Sequence, residues 1–200
     1  MAGRSLKLKY DSEKEPSIGR SKAQLEETRK RLSAAHAAKV RPHLILRAYS
    51  QFIDNFLLHL WRTLVDDGAG RHQLSLVAVG GYGRQELHPG SDIDLLILLA
   101  RACSGEEVRR IEQFIRFLWD MGLQVGHSTR TLKECVHQAR GDITVVTNLM
   151  EDRHLTGPAE LLSRLNTQIA PTRMWSPRKF FEAKRQEQVN RHLRYGDTAY

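Results

Sequence analysis

The most informative part of the chain is residues 77–97, which read VAVGGYGRQELHPGSDIDLLI. Residues 74–79 are apolar and rich in branched side chains, and they lead directly into the pair Gly80-Gly81. This pattern predicts a buried strand that ends in a tight turn. The apolar run over residues 93–99 predicts a second buried strand. The fold is therefore expected to be built around two short strands joined by a glycine-rich connection.

Asp92 and Asp94 lie at the start of the second predicted strand. Because side chains alternate along a strand, both carboxylates are expected to project from the same face. Two such anions repel each other by on the order of a kcal/mol or more at the dielectric of a protein surface, which favours a bound cation. Oxygen ligands select hard divalent ions, so the pair predicts a catalytic site for Mg²⁺, with Mn²⁺ as the alternative.

Four nearby residues are candidates for binding nucleotide phosphates, namely Gly80, Gly81, Arg84 and Ser91. Glycine lets backbone N–H groups approach a phosphate closely, and arginine adds a charge-assisted contact. A glycine pair or an Asp-x-Asp pair alone is usually a turn or a solvated surface, so the hypothesis depends on their combination. A Rossmann motif fits poorly because Glu86 replaces its third glycine, and the Gly-Lys-Ser/Thr of a Walker loop is absent.

The rest of the chain predicts helices on both sides of a small α/β (α+β) core with a mixed sheet. Ser104 and Glu107 form a capping box for a helix to about Met121, and residues 123–130 alternate as a third strand would. The other predicted elements are a helix from Ser21 towards Pro42, a helical stripe from Ile45 to Leu64, a turn over 66–71, a helical turn over 83–87, short helices over 131–140, 143–152 and 158–168, and a last helix from Ser176-Pro177. We divide the chain into a flexible tail (1–20), an N-terminal helical region (21–71), a core with the candidate metal and phosphate site (72–156) and a C-terminal helical segment (157–200) that we expect to be truncated.

Composition excludes several classes of protein. The 200 residues are 40% hydrophobic and 27% charged, which is typical of a globular chain, and no apolar run approaches the ~20 residues that span a bilayer. The absence of a secretory signal predicts a cytoplasmic location. The formal charge of +8 raises the alternative of a nucleic-acid binding module. The positive excess lies in the flanks and few aromatic residues accompany it, which argues against that alternative.

The pair Gly80-Gly81 together with Ser91-Asp92-Ile93-Asp94 resembles the signature of the DNA polymerase beta-type nucleotidyltransferase superfamily. Over about residues 20–200 the chain is similar to the N-terminal domain of the bacterial bifunctional uridylyltransferase and uridylyl-removing family. Three further segments carry that resemblance: LWDMGLQVGHSTRT at 118–131, TNLMEDR at 147–153 and RHLRYGDTAY at 191–200.

The resemblance implies transfer of UMP from UTP to a tyrosine of the PII nitrogen-regulatory protein, with release of pyrophosphate. Adenylyl transfer to glutamine synthetase, or nucleotidyl transfer to a small molecule, remains the alternative, since nothing in residues 80–97 identifies the base. The proteins of this family are much longer than 200 residues and carry a hydrolase domain and glutamine-sensing ACT domains. We expect neither of those functions from these 200 residues, and a further alternative is that the chain alone binds nucleotide without turnover.

One feature of the superfamily is missing from the sequence. Many members carry a third carboxylate on the strand after the Asp-x-Asp pair, where it helps to bind metal and deprotonate the acceptor. The corresponding residues 124–128 read QVGHS and contain no acid. His127, Asp142 and Glu151 are candidates for that role, and the sequence does not assign the general base to any one of them.

Overall fold

The computed structural model describes residues 6–12, 15–66 and 73–195. The strands are β1 (Leu74–Ala78), β2 (Ile93–Leu99), β3 (Val125–Thr131) and β4 (Arg153–Thr156). The helices are α1 (Ile18–Ala37), α2 (Pro42–Leu64), α3 (Gly80–Gly83), α4 (Gly105–Asp120), α5 (Leu132–Gly141), α6 (Ile143–Met150), α7 (Ala159–Ile169), α8 (Pro171–Met174) and α9 (Pro177–Tyr195).

The strands form one mixed sheet in the order β3-β2-β1-β4. β1 runs antiparallel to β2 and β4, whereas β2 and β3 are parallel and are joined by the crossover helix α4. Alternate residues of β2 enter two apolar cores. Leu95 and Ile97 join the core that contains α2 and α4, while Leu96 and Leu98 join the core that contains α5, α6 and α7. The predicted α/β class with a small mixed sheet is confirmed.

Local signals account for several helix ends. At the start of α4 the Glu107 backbone N–H donates to Ser104 Oγ at 3.3 Å, and the Ser104 N–H donates to Glu107 Oε2 at 2.7 Å. The predicted capping box is therefore present. Pro42 is the first residue of α2, where its missing N–H costs no helical hydrogen bond.

Two predicted elements differ from the structure, and one strand was not predicted. The helical turn lies over Gly80–Gly83 rather than 83–87, because Gly80 enters the helical turn directly with a φ of +58°. The helix predicted over 143–152 ends at Met150, and the chain continues into β4, which the sequence analysis did not predict. β4 has the sequence RHLT and only half-buried side chains, so it carries no apolar alternation. Pairing with β1 stabilises it instead.

The prediction of a flexible tail over 1–20 is wrong for residues 6–12, which the structure describes. Leu8 and Tyr10 are buried, and the Tyr10 ring packs edge-on against Phe56 at a centroid distance of 5.1 Å. The Tyr10 hydroxyl lies 3.1 Å from Ser21 Oγ. These side chains pack against a surface of α2, and no periodic pattern in the local sequence predicts that packing. The predicted turn over 66–71, apart from Asp66, and the last five residues of the 191–200 motif lie outside the described residues.

Candidate functional site

The predicted site residues converge where β1 and β2 lie side by side. The Val79 N–H donates to the Asp94 carbonyl at 3.1 Å, which aligns the end of β1 with the start of β2. A cleft of about 830 Å³ opens here, and we call it the carboxylate cleft. Its lining includes five of the six predicted residues, namely Gly81, Arg84, Ser91, Asp92 and Asp94. The sixth, Gly80, lies directly beside Asp94.

The glycines of α3 are required by backbone geometry. Gly80 has a φ of +58°, a left-handed conformation that strains any residue with a Cβ. A Cβ at Gly80 would lie 3.6 Å from Asp94 Oδ2, so the turn passes close to that carboxylate. At Gly83 a Cβ would lie only 1.8 Å from the Glu151 carbonyl oxygen. The sequence therefore uses glycine both to turn the chain and to pack it against the segment before β4.

The two carboxylates carry unbalanced negative charge. Partial burial raises the pKa of Asp94, and the charge of Asp92 raises it further. Within the part of the chain that the structure describes, neither carboxylate has an ion-pair partner, and no group of three or more His, Cys, Asp or Glu side chains is arranged to hold a metal. Mg²⁺ is commonly held by one or two carboxylates together with substrate phosphates. The two carboxylates therefore fit a hard divalent cation whose remaining ligands are supplied by the phosphates of a nucleotide.

This charge imbalance makes a testable stability prediction. We expect Asp94→Asn to raise the melting temperature at neutral pH in metal-free buffer, because it removes a half-buried charge that Asp92 repels. The native pKa of Asp94 is raised, so the wild-type protein loses this penalty as pH falls through that pKa. The difference between the two proteins, measured by differential scanning calorimetry, should therefore be largest at neutral pH and vanish in acid. An unchanged or lower melting temperature at neutral pH would contradict the charge assignment.

Arg84 lies in the carboxylate cleft but is already paired. Its guanidinium donates to Glu86 Oε2 at 2.8 Å through Nε and to Glu151 through Nη1. The hydrogen bond to Glu86 is the largest cause of its raised pKa. Two acidic neighbours thus compensate the cation that the sequence analysis assigned to phosphate, and Glu151 is occupied as the partner of Arg84.

The strand register places a glycine, rather than a third carboxylate, beside Asp94. Gly126 of β3 is the partner of Asp94 in β2, and a Cβ there would lie 2.5 Å from Asp94 Oδ1. The Asp94 carboxylate occupies the space that a side chain at 126 would need. His127 pairs with Leu95 and lies on the opposite face, where its ring meets Trp119 edge-on at 5.7 Å. Asp142 caps α6 by accepting from the Thr144 N–H at 2.7 Å.

Asn148 is a site residue that the sequence analysis did not select. A Cβ on Gly80 would lie 3.7 Å from Asn148 Oδ1, so the amide lies beside the same glycine as Asp94. A smaller cleft of about 230 Å³ adjoins this point, and its lining includes Asp94, Ser128, Arg130 and Asn148. Asn148 belongs to the segment TNLMEDR, which carried family resemblance but no recognisable chemistry.

A half-buried polar network holds α3 in place. The Tyr82 hydroxyl donates to Asp54 Oδ1 at 2.6 Å, and Arg153 donates to both Asp54 oxygens at 2.8 and 3.0 Å. Arg153 also donates to the backbone carbonyls of Tyr82 at 3.3 Å and Gly83 at 3.2 Å. Burial and the charge of Asp54 raise the pKa of Tyr82 well above its usual value. This network links α2, α3 and β4, and the sequence analysis missed it because Asp54 and Arg153 are 99 residues apart.

Comparison with known proteins identifies the relatives of this chain. Residues 26–131 match the family described as "Putative nucleotidyltransferase DUF294". The chain is 47% identical over 171 residues to the bifunctional uridylyltransferase/uridylyl-removing enzyme of Pseudomonas putida strain F1. It is 50% identical over 151 residues to the enzyme of the same name from Azotobacter vinelandii. These alignments include 86% and 74% of this chain but only 18% and 16% of the relatives' lengths.

Solved structures give a more distant likeness. A toxin-antitoxin crystal structure with AMP-PNP aligns with 70% of this chain and 98% of its own chain, at 16% identity and a TM-score of 0.39. Separately, no helix among the described residues has the length and apolar content needed to cross a bilayer.

Proposed function

This chain belongs to the nucleotidyltransferase family matched by residues 26–131, and from that premise we propose that it transfers UMP from UTP to a tyrosine hydroxyl of the PII signal protein. The observation that carries the proposal is the carboxylate cleft, in which Asp92 and Asp94 face a glycine turn suited to polyphosphate. The choice of uridine rests on relatives named uridylyltransferase that are 47–50% identical to this chain. The location proposed for the reaction is the cytoplasm.

Asp92 and Asp94 are the proposed metal ligands and catalytic residues. Mg²⁺, or Mn²⁺ in its place, would supply charge stabilisation for the triphosphate oxygens when bound there. Gly80 and Gly81 offer backbone N–H groups without a Cβ in the way, and Ser91 adds a hydroxyl at the rim. Arg84 would contact the leaving phosphates by releasing part of its pairing with Glu86 and Glu151. These residues bind and orient the nucleotide.

The proposed chemistry is an in-line displacement at the α-phosphorus. The acceptor tyrosine oxygen forms a bond to this phosphorus while the bond to the oxygen that bridges to the β-phosphorus breaks. Pyrophosphate leaves with the bonding electron pair, and the tyrosine hydroxyl loses its proton to solvent water. Since Asp142 is a helix cap, Glu151 is paired and His127 faces Trp119, we assign the proton to none of these three. Catalysis then rests mainly on positioning and on stabilising the developing charge.

A labelling experiment tests base, metal and acceptor together. We expect label from α-³²P-UTP to appear on purified PII protein in the presence of Mg²⁺, and to be lost when EDTA is added. Parallel reactions with α-labelled ATP, and with glutamine synthetase as acceptor, test the adenylyl alternative. A PII variant with phenylalanine at the acceptor tyrosine controls for non-specific labelling. Preferential labelling from ATP, or of glutamine synthetase, would overturn the uridylyl assignment while leaving the nucleotidyltransferase family intact.

A further inference from the structure

The carboxylate cleft has further basic side chains in its lining besides Arg84. His43 and Arg47 of α2 line the carboxylate cleft together with His88 from the loop after α3. His43 and Arg47 are four residues apart, so they lie one above the other on the same side of the helix. His43 and Arg47 thus belong to the N-terminal helical region rather than to the sheet.

The state of Arg47 differs from that of Arg84. Arg84 is paired with Glu86 and Glu151, whereas Arg47 has no hydrogen bond or ion pair to any residue that the structure describes. An exposed arginine on a helix is ordinarily a solvated surface group. Arg47, however, lines a cleft that also contains Asp92 and Asp94. An uncompensated guanidinium in the same cleft as a proposed cation site is suited to an anion that contacts both.

α2 is fixed relative to the glycine turn by contacts on the same helical face. Residues 43, 47, 50 and 54 follow steps of four, three and four, which is one stripe of an α-helix. Asp54 accepts from Tyr82 and Arg153, and the buried Ser50 Oγ accepts from the Leu87 N–H at 3.3 Å. These contacts tie the stripe to Tyr82 of α3 and to Leu87 in the loop after it. The position of Arg47 in the lining of the cleft is therefore set by the packing of α2.

We propose that Arg47, with His43 beside it, binds the polyphosphate of the nucleotide. The inference rests on the proposed function and deepens it: the cation that contacts the phosphates comes chiefly from α2, because Arg84 is already compensated. Arginine suits this task, since its planar fork donates two hydrogen bonds to phosphate oxygens. Arg47 is a binding residue in this proposal and takes no part in bond making.

Equilibrium titration of the intact chain tests the proposal with two probes, UTP and inorganic tripolyphosphate, in the presence of Mg²⁺. We expect Arg47→Gln to weaken binding of both probes by about tenfold or more, because a charge-assisted contact is lost. Arg47→Lys should recover part of the affinity by restoring the charge without the fork. Arg62→Gln is the matched control, since it removes an exposed arginine from the last turn of the same helix, and it should bind both probes like the wild-type protein.

The outcomes separate this inference from the proposed function. If the wild-type protein binds neither probe, both proposals fail. If it binds UTP and transfers UMP, but Arg47→Gln binds tripolyphosphate as tightly as the wild type, only the role of Arg47 is overturned. The same conclusion follows if Arg47→Gln weakens UTP binding alone, because that pattern indicates a contact to uridine. Circular dichroism of each variant shows whether the fold is retained, as expected for an exposed side chain.

Discussion

The double variant Asp92→Asn/Asp94→Asn should lose UMP transfer by about 1,000-fold or more while keeping its fold. The two carboxylates are the proposed metal ligands, and loss of charge stabilisation at a transferring phosphoryl group costs several kcal/mol of activation free energy. The asparagine side chains keep the size of aspartate, so packing around the start of β2 is preserved. Incorporation of label from α-³²P-UTP into PII protein measures the effect.

A matched control separates the site from general effects of charge. Asp120→Asn also removes a carboxylate, but from the exposed last residue of α4, and should leave transfer unchanged. The melting temperature of the double variant in metal-free buffer at neutral pH should exceed that of the wild type, because like-charge repulsion is relieved. Near-normal transfer by the double variant would refute the assignment of Asp92 and Asp94.

The second large effect is expected on stability. Arg153→Met should lower the free energy of unfolding by about 3 kcal/mol, because it leaves the mostly buried Asp54 carboxylate without its bidentate partner. The variant also removes two hydrogen bonds to the backbone of α3. Urea unfolding followed by circular dichroism measures the change. Since α3 forms one side of the carboxylate cleft, nucleotide affinity should fall as well.

An exposed pair of the same kind provides the control for Arg153. Arg178 donates to Glu182 at 2.9 Å on the surface of α9, where both side chains are mostly in water. Arg178→Met should therefore change stability by less than about 1 kcal/mol. In a double-mutant cycle, Asp54→Asn should be less damaging in the Arg153→Met background than in the wild type. Equal effects of the two arginine variants, or full additivity in the cycle, would show that the network contributes nothing beyond surface pairing.

Local patterns predicted β1, β2, β3 and the long helices because their causes are local. Apolar runs specify β1 and β2, and the capping box of Ser104 and Glu107 starts α4. β4 and the burial of Tyr10 were missed because each depends on a surface supplied by a distant part of the chain. The resemblance to nucleotidyltransferases, confirmed by the family match, came from the same short segment that specifies the two strands.

The sequence alone determined that the Asp-x-Asp pair and the glycine pair meet at the candidate site, since they flank adjacent strands. Only the tertiary structure decided how their charges are balanced. It pairs Arg84 with a glutamate 67 residues away, turns His127 to the other face of the sheet, and brings Arg47 into the cleft from α2. Electrostatic neighbours are set by strand register and helix packing, and these depend on contacts between residues far apart in the chain.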